Sequence, residues 1–340
     1  MTDRPAPASG PAPMLSVRIA VPAMIDGGSL AGLDPMAAIV DLAGETMGTY
    51  WRVRLAGPPA LDRARLADAI QARLDRLVAQ MSHWQAGSLL DAYNRAPGGH
   101  WARLPRDFAA VMAAGLAIAE QSDGAFDPAA GRLTDLYGLG PNAMTDPPSG
   151  RARAAALRAS GWRKLALDHA TGRLRQPGGL WLDLSGIAKG YAVDAVADLL
   201  ADRGLRHCLV EIGGECLGRG MKPDGEPWWV DLEAPPDWRV QPLRVAAHQL
   251  AIATSGNYVR GDHTLDPRTG DPVRNGIGAV SVIHAEAMVA DAWATALTVL
   301  GREAGAACAI REGLAVRMLA REAGLVREWL SPAMLAMLHD

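Results

Sequence analysis

Between Gly172 and Ile283 the chain is a succession of short apolar runs, GRLRQ, LWLDL, HCLVEI, WWVDLE, LAIATSG and GIGAVSVI, separated by Gly and Pro turns. Runs of this length between turn residues read as strands. Helix patterns interrupt them at Gly190 to Arg203 and at Glu286 to Leu300. Upstream, Tyr50, Arg52 and Arg54 alternate with Trp51, Val53 and Leu55 as in a half-buried strand. An amphipathic helix follows from Ala60 to about Met81, and an Ala-rich, mostly buried one from Asp107 to Glu120. The fold class that follows is α+β, with mixed sheets and flanking helices. Gly140 to Arg153, rich in Pro, Gly and Asn, reads as a connection or exposed loop. The tail after Gly301 reads as one more helix and a final strand or loop. No internal repeat relates the parts.

At 340 residues, with 49% hydrophobic and 21% charged residues, the chain can bury a cofactor. The net charge of −3 and the scatter of Lys and Arg leave no basic footprint, which speaks against a nucleic-acid partner. No run approaches the roughly 18 apolar residues of a membrane-spanning helix. Cys208, Cys216 and Cys308 are too few and too far apart for a disulfide framework and read as small buried residues. The histidines are too widely spaced for an H-x-x-x-H zinc pattern, so any metal has oxygen ligands. Residues 1–41 begin with MTDRPAPASGPAPM and are expected to be a flexible N-terminal segment, with the folded domain spanning 42–340. The weakly apolar stretch from Leu15 carries Arg18 and Asp26, and no cysteine follows it for a lipid anchor. A cytoplasmic location is the expectation.

Four polar segments interrupt the apolar elements. In Asp183-Leu-Ser-Gly-Ile-Ala-Lys-Gly-Tyr-Ala-Val-Asp194 a strand ends and a helix starts near Lys189. Backbone N–H groups at such a start suit an anion. Lys189 opposes the helix dipole there, so it is either a ligand contact or a plain surface lysine. Glu211-Ile-Gly-Gly-Glu-Cys-Leu-Gly-Arg-Gly220 lets backbone approach a ligand closely. A strand rather than a helix follows it, which disfavours a dinucleotide fingerprint, and no Walker loop occurs. Thr254-Ser-Gly-Asn-Tyr258 precedes His263 and a D-P-x-T-G turn; His263 is a candidate general base or a structural hydrogen-bonder. Asp291 and Thr295 stand at i and i+4 on one face of an Ala-rich helix. There they are ligands for a hard cation such as Mg2+, or Thr295 bonds back to its helix while Asp291 caps a neighbouring loop.

These segments, with Met47-Gly-Thr49 and Gly124-Ala-Phe-Asp-Pro128, resemble the FAD:protein FMN transferase family, often called the ApbE family, from about Gly44 to Gly301. The resemblance implies a single domain related to the T-fold that binds FAD as substrate. It implies transfer of FMN to a Thr or Ser hydroxyl of a target flavoprotein, typically a subunit of a sodium-pumping or Rnf-type redox complex, with release of AMP. By position, Asp291 and Thr295 would bind Mg2+ together with a main-chain carbonyl near Gly186 to Ala188. His263 would be the base, and Met47, Asn94, Asp127, Lys189, Glu211 and Ser255 would hold the flavin, ribityl and adenosine parts. One segment departs from the family pattern: His83, Trp84 and Leu89 stand where a small hydroxyl residue, an aromatic and an acid are usual. Two neighbouring readings keep the same site: an FAD pyrophosphatase that gives FMN to water, and a non-catalytic flavin carrier or assembly factor.

Overall fold

The computed structural model describes residues 16–25, 27–144, 146–256 and 263–339. Eight strands build the main sheet: β1 (Ala38–Thr46), β2 (Thr49–Gly57), β3 (Cys208–Ile212), β4 (Glu215–Arg219), β5 (Leu250–Ser255), β6 (Ile277–His284), β7 (Ala315–Glu322) and β8 (Leu325–Leu330). Their order in the sheet is their order in the chain, each antiparallel to the next. The sheet is thus a meander, and the helices and the smaller sheets are inserted into its connections. Four helices matter most: α1 (Arg63–Met81), α2 (Arg106–Gln121), α3 (Ala188–Ala201) and α4 (Ala287–Arg311).

The strands bury both faces, and side-chain alternation divides them between two cores. Val53, Val210, Ile212, Leu217, Ala253 and Val282 join the core under α1, α3 and α4. Leu209, Cys216, Ile252 and Ile283 point the other way, against Trp228, Leu243 and Val245. That second core is closed by a four-stranded sheet of Leu338–His339, Arg18–Ala20, Leu243–Ala246 and Trp229–Asp231. The result is a layered α+β architecture, as the sequence pattern predicts. All three cysteines are free and buried. Among the described residues no helix is long and apolar enough to cross a membrane.

Several elements differ from the sequence reading. The N-terminal segment contributes structure before Leu42: Arg18–Ala20 pairs in parallel with Leu243–Ala246, and β1 starts at Ala38. LWLDL buries Leu180, Leu182 and Leu184 but forms no strand. Its backbone is held by loops and a side chain: Trp181 O accepts from Gly131 N–H, Asp183 N–H donates to Pro128 O, and Leu182 N–H donates to Asn94 Oδ1. The loop expected through Arg153 gives way at Gly150 to a helix, Gly150–Ala159, capped by the Ser149 side chain. The tail after Gly301 supplies the hairpin β7–β8, more strand than the sequence pattern suggests. Gly301 itself, at φ 76°, kinks α4 where the pattern expected an end.

Helix spacing is set by charge and by small residues. Asp107 at the start of α2 accepts two hydrogen bonds from the Arg73 guanidinium of α1, 2.6 and 2.7 Å, and one from the Tyr191 hydroxyl of α3, 2.7 Å. Those bonds pull its carboxyl down to about 2. Between α3 and α4 the contact is closer still. A Cβ on Gly190 would lie 2.2 Å from Ala287 O and 2.8 Å from Asp291 Cβ. Gly190→Ala is therefore expected to destabilise the fold by about 1–3 kcal/mol, the usual cost of overpacking. A denaturant titration that returned the wild-type midpoint would show that the helices part without cost.

Candidate active site

A cleft of about 490 Å³ lies over the inner ends of α3 and α4. Asp127, Gly186, Lys189, Ser255, His263, Asp291 and Thr295, all expected from sequence, line it together. It continues into a second lobe of about 630 Å³, lined by Met47, Met81, His83, Trp84 and Ala188. Thr49, Ser185, Lys189 and Gly213 border both lobes. Asn257 and Tyr258 of the Ser255 segment lie outside the described residues.

Asp291 is 5% exposed, and its Oδ2 accepts from Gly190 N–H at 3.0 Å. Burial pushes its carboxyl up, while the nearby Lys189 ammonium and the Gly190 N–H pull it down. One turn on, Thr295 faces the cleft, and a Cβ on Gly186 would lie 2.8 Å from its Oγ1. The local back-bond to a helix carbonyl is made instead by Thr298, whose hydroxyl donates to Ala294 O at 2.8 Å. Asp291 thus caps the start of α3 and faces the cleft at once.

Lys189 reaches Glu215, with Nζ 2.5 Å from Oε1. Glu215 is 3% exposed, and its other oxygen, Oε2, is buried without a hydrogen-bond partner. Burial raises the Glu215 carboxyl, Lys189 lowers it and the Asp291 carboxylate raises it again. An orphaned buried carboxylate oxygen beside a second buried carboxylate fits a divalent cation with oxygen ligands. Among the described residues no three His, Cys, Asp or Glu side chains form a metal cluster.

Glu211, expected at the ligand, lines neither lobe. It lies on the Leu209 face of β3, away from the helices, where it accepts from the Tyr50 hydroxyl and, with burial, raises that phenol to about 12. Glu215 pairs with Ile212 across the Gly213-Gly214 turn and so shares the helix-side face. Strand alternation through that turn could have singled it out.

Two further expected contacts are engaged with backbone. Asn94 is 9% exposed; it accepts from Leu182 N–H at 2.7 Å and donates to Leu182 O at 3.3 Å. It borders a smaller neighbouring pocket rather than the cleft. Asp127 accepts from Ala129 N–H and Trp162 N–H at 2.7 and 3.1 Å. Met47 takes φ +50° in the two-residue β1–β2 turn, an uncommon conformation for a side chain outside Gly, Asn and Asp. Of the departing residues, His83 Nδ1 stands 3.5 Å from Asp183 Oδ1, Trp84 is 62% exposed over the second lobe, and Leu89 is exposed at a helix start.

A family model, described as the ApbE family, matches residues 47–318. This chain belongs to the ApbE family. It is 33% identical over 312 residues to the FAD:protein FMN transferase of Klebsiella pneumoniae, covering 88% of this chain and 89% of that one. Against the protein of the same name from Escherichia coli (strain K12) it is 33% identical over 305 residues, 86% of this chain and 87% of that one. The flavin transferase ApbE of Vibrio cholerae superposes with a TM-score of 0.84 at 32% identity, over 89% of this chain and all of that one. The Pseudomonas stutzeri flavinyl transferase ApbE, in its apo form, gives 0.82 at 35% identity, over 88% and 97%.

Asp127 of the ApbE cleft has an ionisation that reports its burial. Asp127 is raised from 3.8 to about 6, mainly by desolvation. A raised folded value means the folded chain holds the proton more tightly. Stability tied to this group is full below pH 3.8 and is lost as pH rises to about 6. Asp127→Asn is expected to lack that loss, so the wild-type minus variant difference in denaturation midpoint should change between pH 4 and 6. A difference that stays constant across the window would count against the buried, ionising Asp127.

Proposed function

We propose that this chain is a Mg2+-dependent FAD:protein FMN transferase. It moves the FMN half of FAD onto a Thr or Ser hydroxyl of a target flavoprotein and releases AMP. The observation that carries the reading is the placement of Asp291, Thr295, Lys189 and His263 around one two-lobed cleft, in a chain that matches transferases of that name over most of its length. Two joined lobes suit a ligand with two heterocyclic ends, and exposed Trp84 offers one of them an aromatic face.

Asp291, Thr295 and a main-chain carbonyl near Gly186 to Ala188 would hold the Mg2+. When bound, the ion supplies positive charge against the oxygens of the pyrophosphate. The chain's own residues do the rest. His263 accepts the proton of the acceptor hydroxyl at a ring nitrogen. The hydroxyl oxygen bonds to the FMN phosphorus as the bond from that phosphorus to the AMP oxygen breaks, and AMP leaves as the anion. Lys189 borders both lobes and offers its ammonium to the developing charge. Met47, Asp127 and Ser255 shape the walls and fix the orientation of the bound dinucleotide. A subunit of a redox-driven ion pump or an Rnf-type complex fits the acceptor's role.

The test is incubation with FAD and Mg2+, with and without a Thr-containing acceptor peptide, followed by mass spectrometry. A peptide gaining FMN is the expected product; free FMN in place of the adduct would make the chain a pyrophosphatase. Asp291→Ala should abolish AMP release, and His263→Ala should slow transfer by about 10²–10⁴-fold, the usual worth of a general base, with FAD still bound. Full transfer by either variant would sink the mechanism.

A further inference from the structure

The cleft holds two buried carboxylates, Asp291 on α4 and Glu215 at the start of β4, and Lys189 sits against the second. The arrangement is unbalanced. Two carboxyl groups share one ammonium at a site where Glu215 is 3% and Asp291 5% exposed. Buried charge without compensation is costly, and the partnerless Glu215 Oε2 adds an unmet hydrogen-bonding capacity.

Lys189 differs from its two partners. Its side chain is 31% exposed, its four-carbon stem is flexible, and it borders both lobes of the cleft. Glu215 is fixed at a strand start beside the Gly213-Gly214 turn, and Asp291 is fixed by the Gly190 N–H. Of the three groups the ammonium is the most exposed and the two carboxyl groups are the most buried.

We propose that Glu215 is a second carboxylate of the divalent-cation site and that Lys189 is its stand-in cation, displaced when the metal enters and thereby released toward the phosphates of FAD. This rests on the metal reading given above for Asp291. A dication supplies the charge the ammonium lacks and gives Glu215 Oε2 a partner. Freed Lys189 then has an anionic ligand within the same cleft. Metal and dinucleotide binding become mutually reinforcing, because each removes a competitor of the other.

The experiment measures Mn2+ binding to the FAD-free protein by electron paramagnetic resonance and calorimetry. Glu215→Gln, nearly the same shape, should weaken Mn2+ by about 10-fold or more, the scale of lost supporting contacts at metal sites. Lys189→Met removes the competing ammonium and should tighten Mn2+ by roughly five-fold, the worth of one like-charge contact screened as strongly as in bulk water. In the wild-type chain, amine-selective labelling of Lys189 should rise when Mg2+ is added, which needs no variant to fold. Unchanged Mn2+ affinity in Glu215→Gln or Lys189→Met, or Lys189 labelling indifferent to Mg2+, would overturn the exchange. If Asp291→Ala weakens Mn2+ while Glu215→Gln does not, this inference fails alone. If neither weakens it, the metal reading fails as well.

Discussion

The near-contact of α3 with α4 is the constraint on which the rest of the site depends. Gly190 lacks a Cβ, so Ala287 and Asp291 of α4 come within a distance that a side chain would forbid. At that separation the Gly190 N–H reaches Asp291 Oδ2, which caps an orphan donor in the first turn of α3 and fixes the carboxylate. The same approach puts Gly186 against Thr295 and leaves Lys189, one residue before Gly190, facing Glu215. Asp194 locks the pair from the other side by accepting from Ala287 N–H and Met288 N–H, both at 2.9 Å. Each helix therefore supplies the cap of the other. The carboxylate proposed for the metal and the carboxylate that packing needs are one and the same in Asp291.

Other positions show the opposite economy, in which local preference yields to the cleft. A two-residue turn with both φ values positive ordinarily takes Asn-Gly or Gly-Gly, and here the first place is Met47. A strained backbone of this kind costs on the order of 1 kcal/mol. In return the Met47 side chain packs on the main core and lines the second lobe. Lys189 is a second case, a cation in the first turn of a helix whose dipole disfavours it, compensated by Glu215.

Much of the architecture was legible because it follows from periodicity. The helices α1 and α2 and the meander strands β2, β3, β5 and β6 are found within a few residues of the apolar pattern. LWLDL misleads because its alternation is real while its backbone partners are a loop, a helix start and the Asn94 amide, none of which leaves a pattern in sequence. Arg18–Ala20 is missed because three residues are too few to show a period, and its pairing with Leu243–Ala246 bridges more than two hundred positions of chain. Residues that line the cleft were legible where they break a pattern: Asp291 and Thr295 on an apolar helix, Lys189 at a helix start, His263 before a turn. Asn94 and Asp127 also break patterns, yet their polar atoms serve neighbouring backbone. A polar residue in an apolar setting marks a bond that must be made, and sequence does not say whether its partner is a ligand or a peptide group.

Glu211 and Glu215 make the distinction sharper, since they flank the same Gly-Gly turn and have the same chemistry. Which of them faces the helices is decided by parity alone. Val210 and Ile212 are committed to the core under α3, so Glu211 between them must face the other way. The turn is two residues long, which sets Glu215 opposite Ile212 and on its side of the sheet. One residue inserted after an unchanged two-residue turn would move the acid to the other face and Cys216 to the helix side. The burial of Glu215 is thus imposed by hairpin length and by the hydrophobic residues across from it. A carboxyl group forced into such a place calls for positive charge, which Lys189 provides in the fold and which the proposed cation beside Asp291 would add.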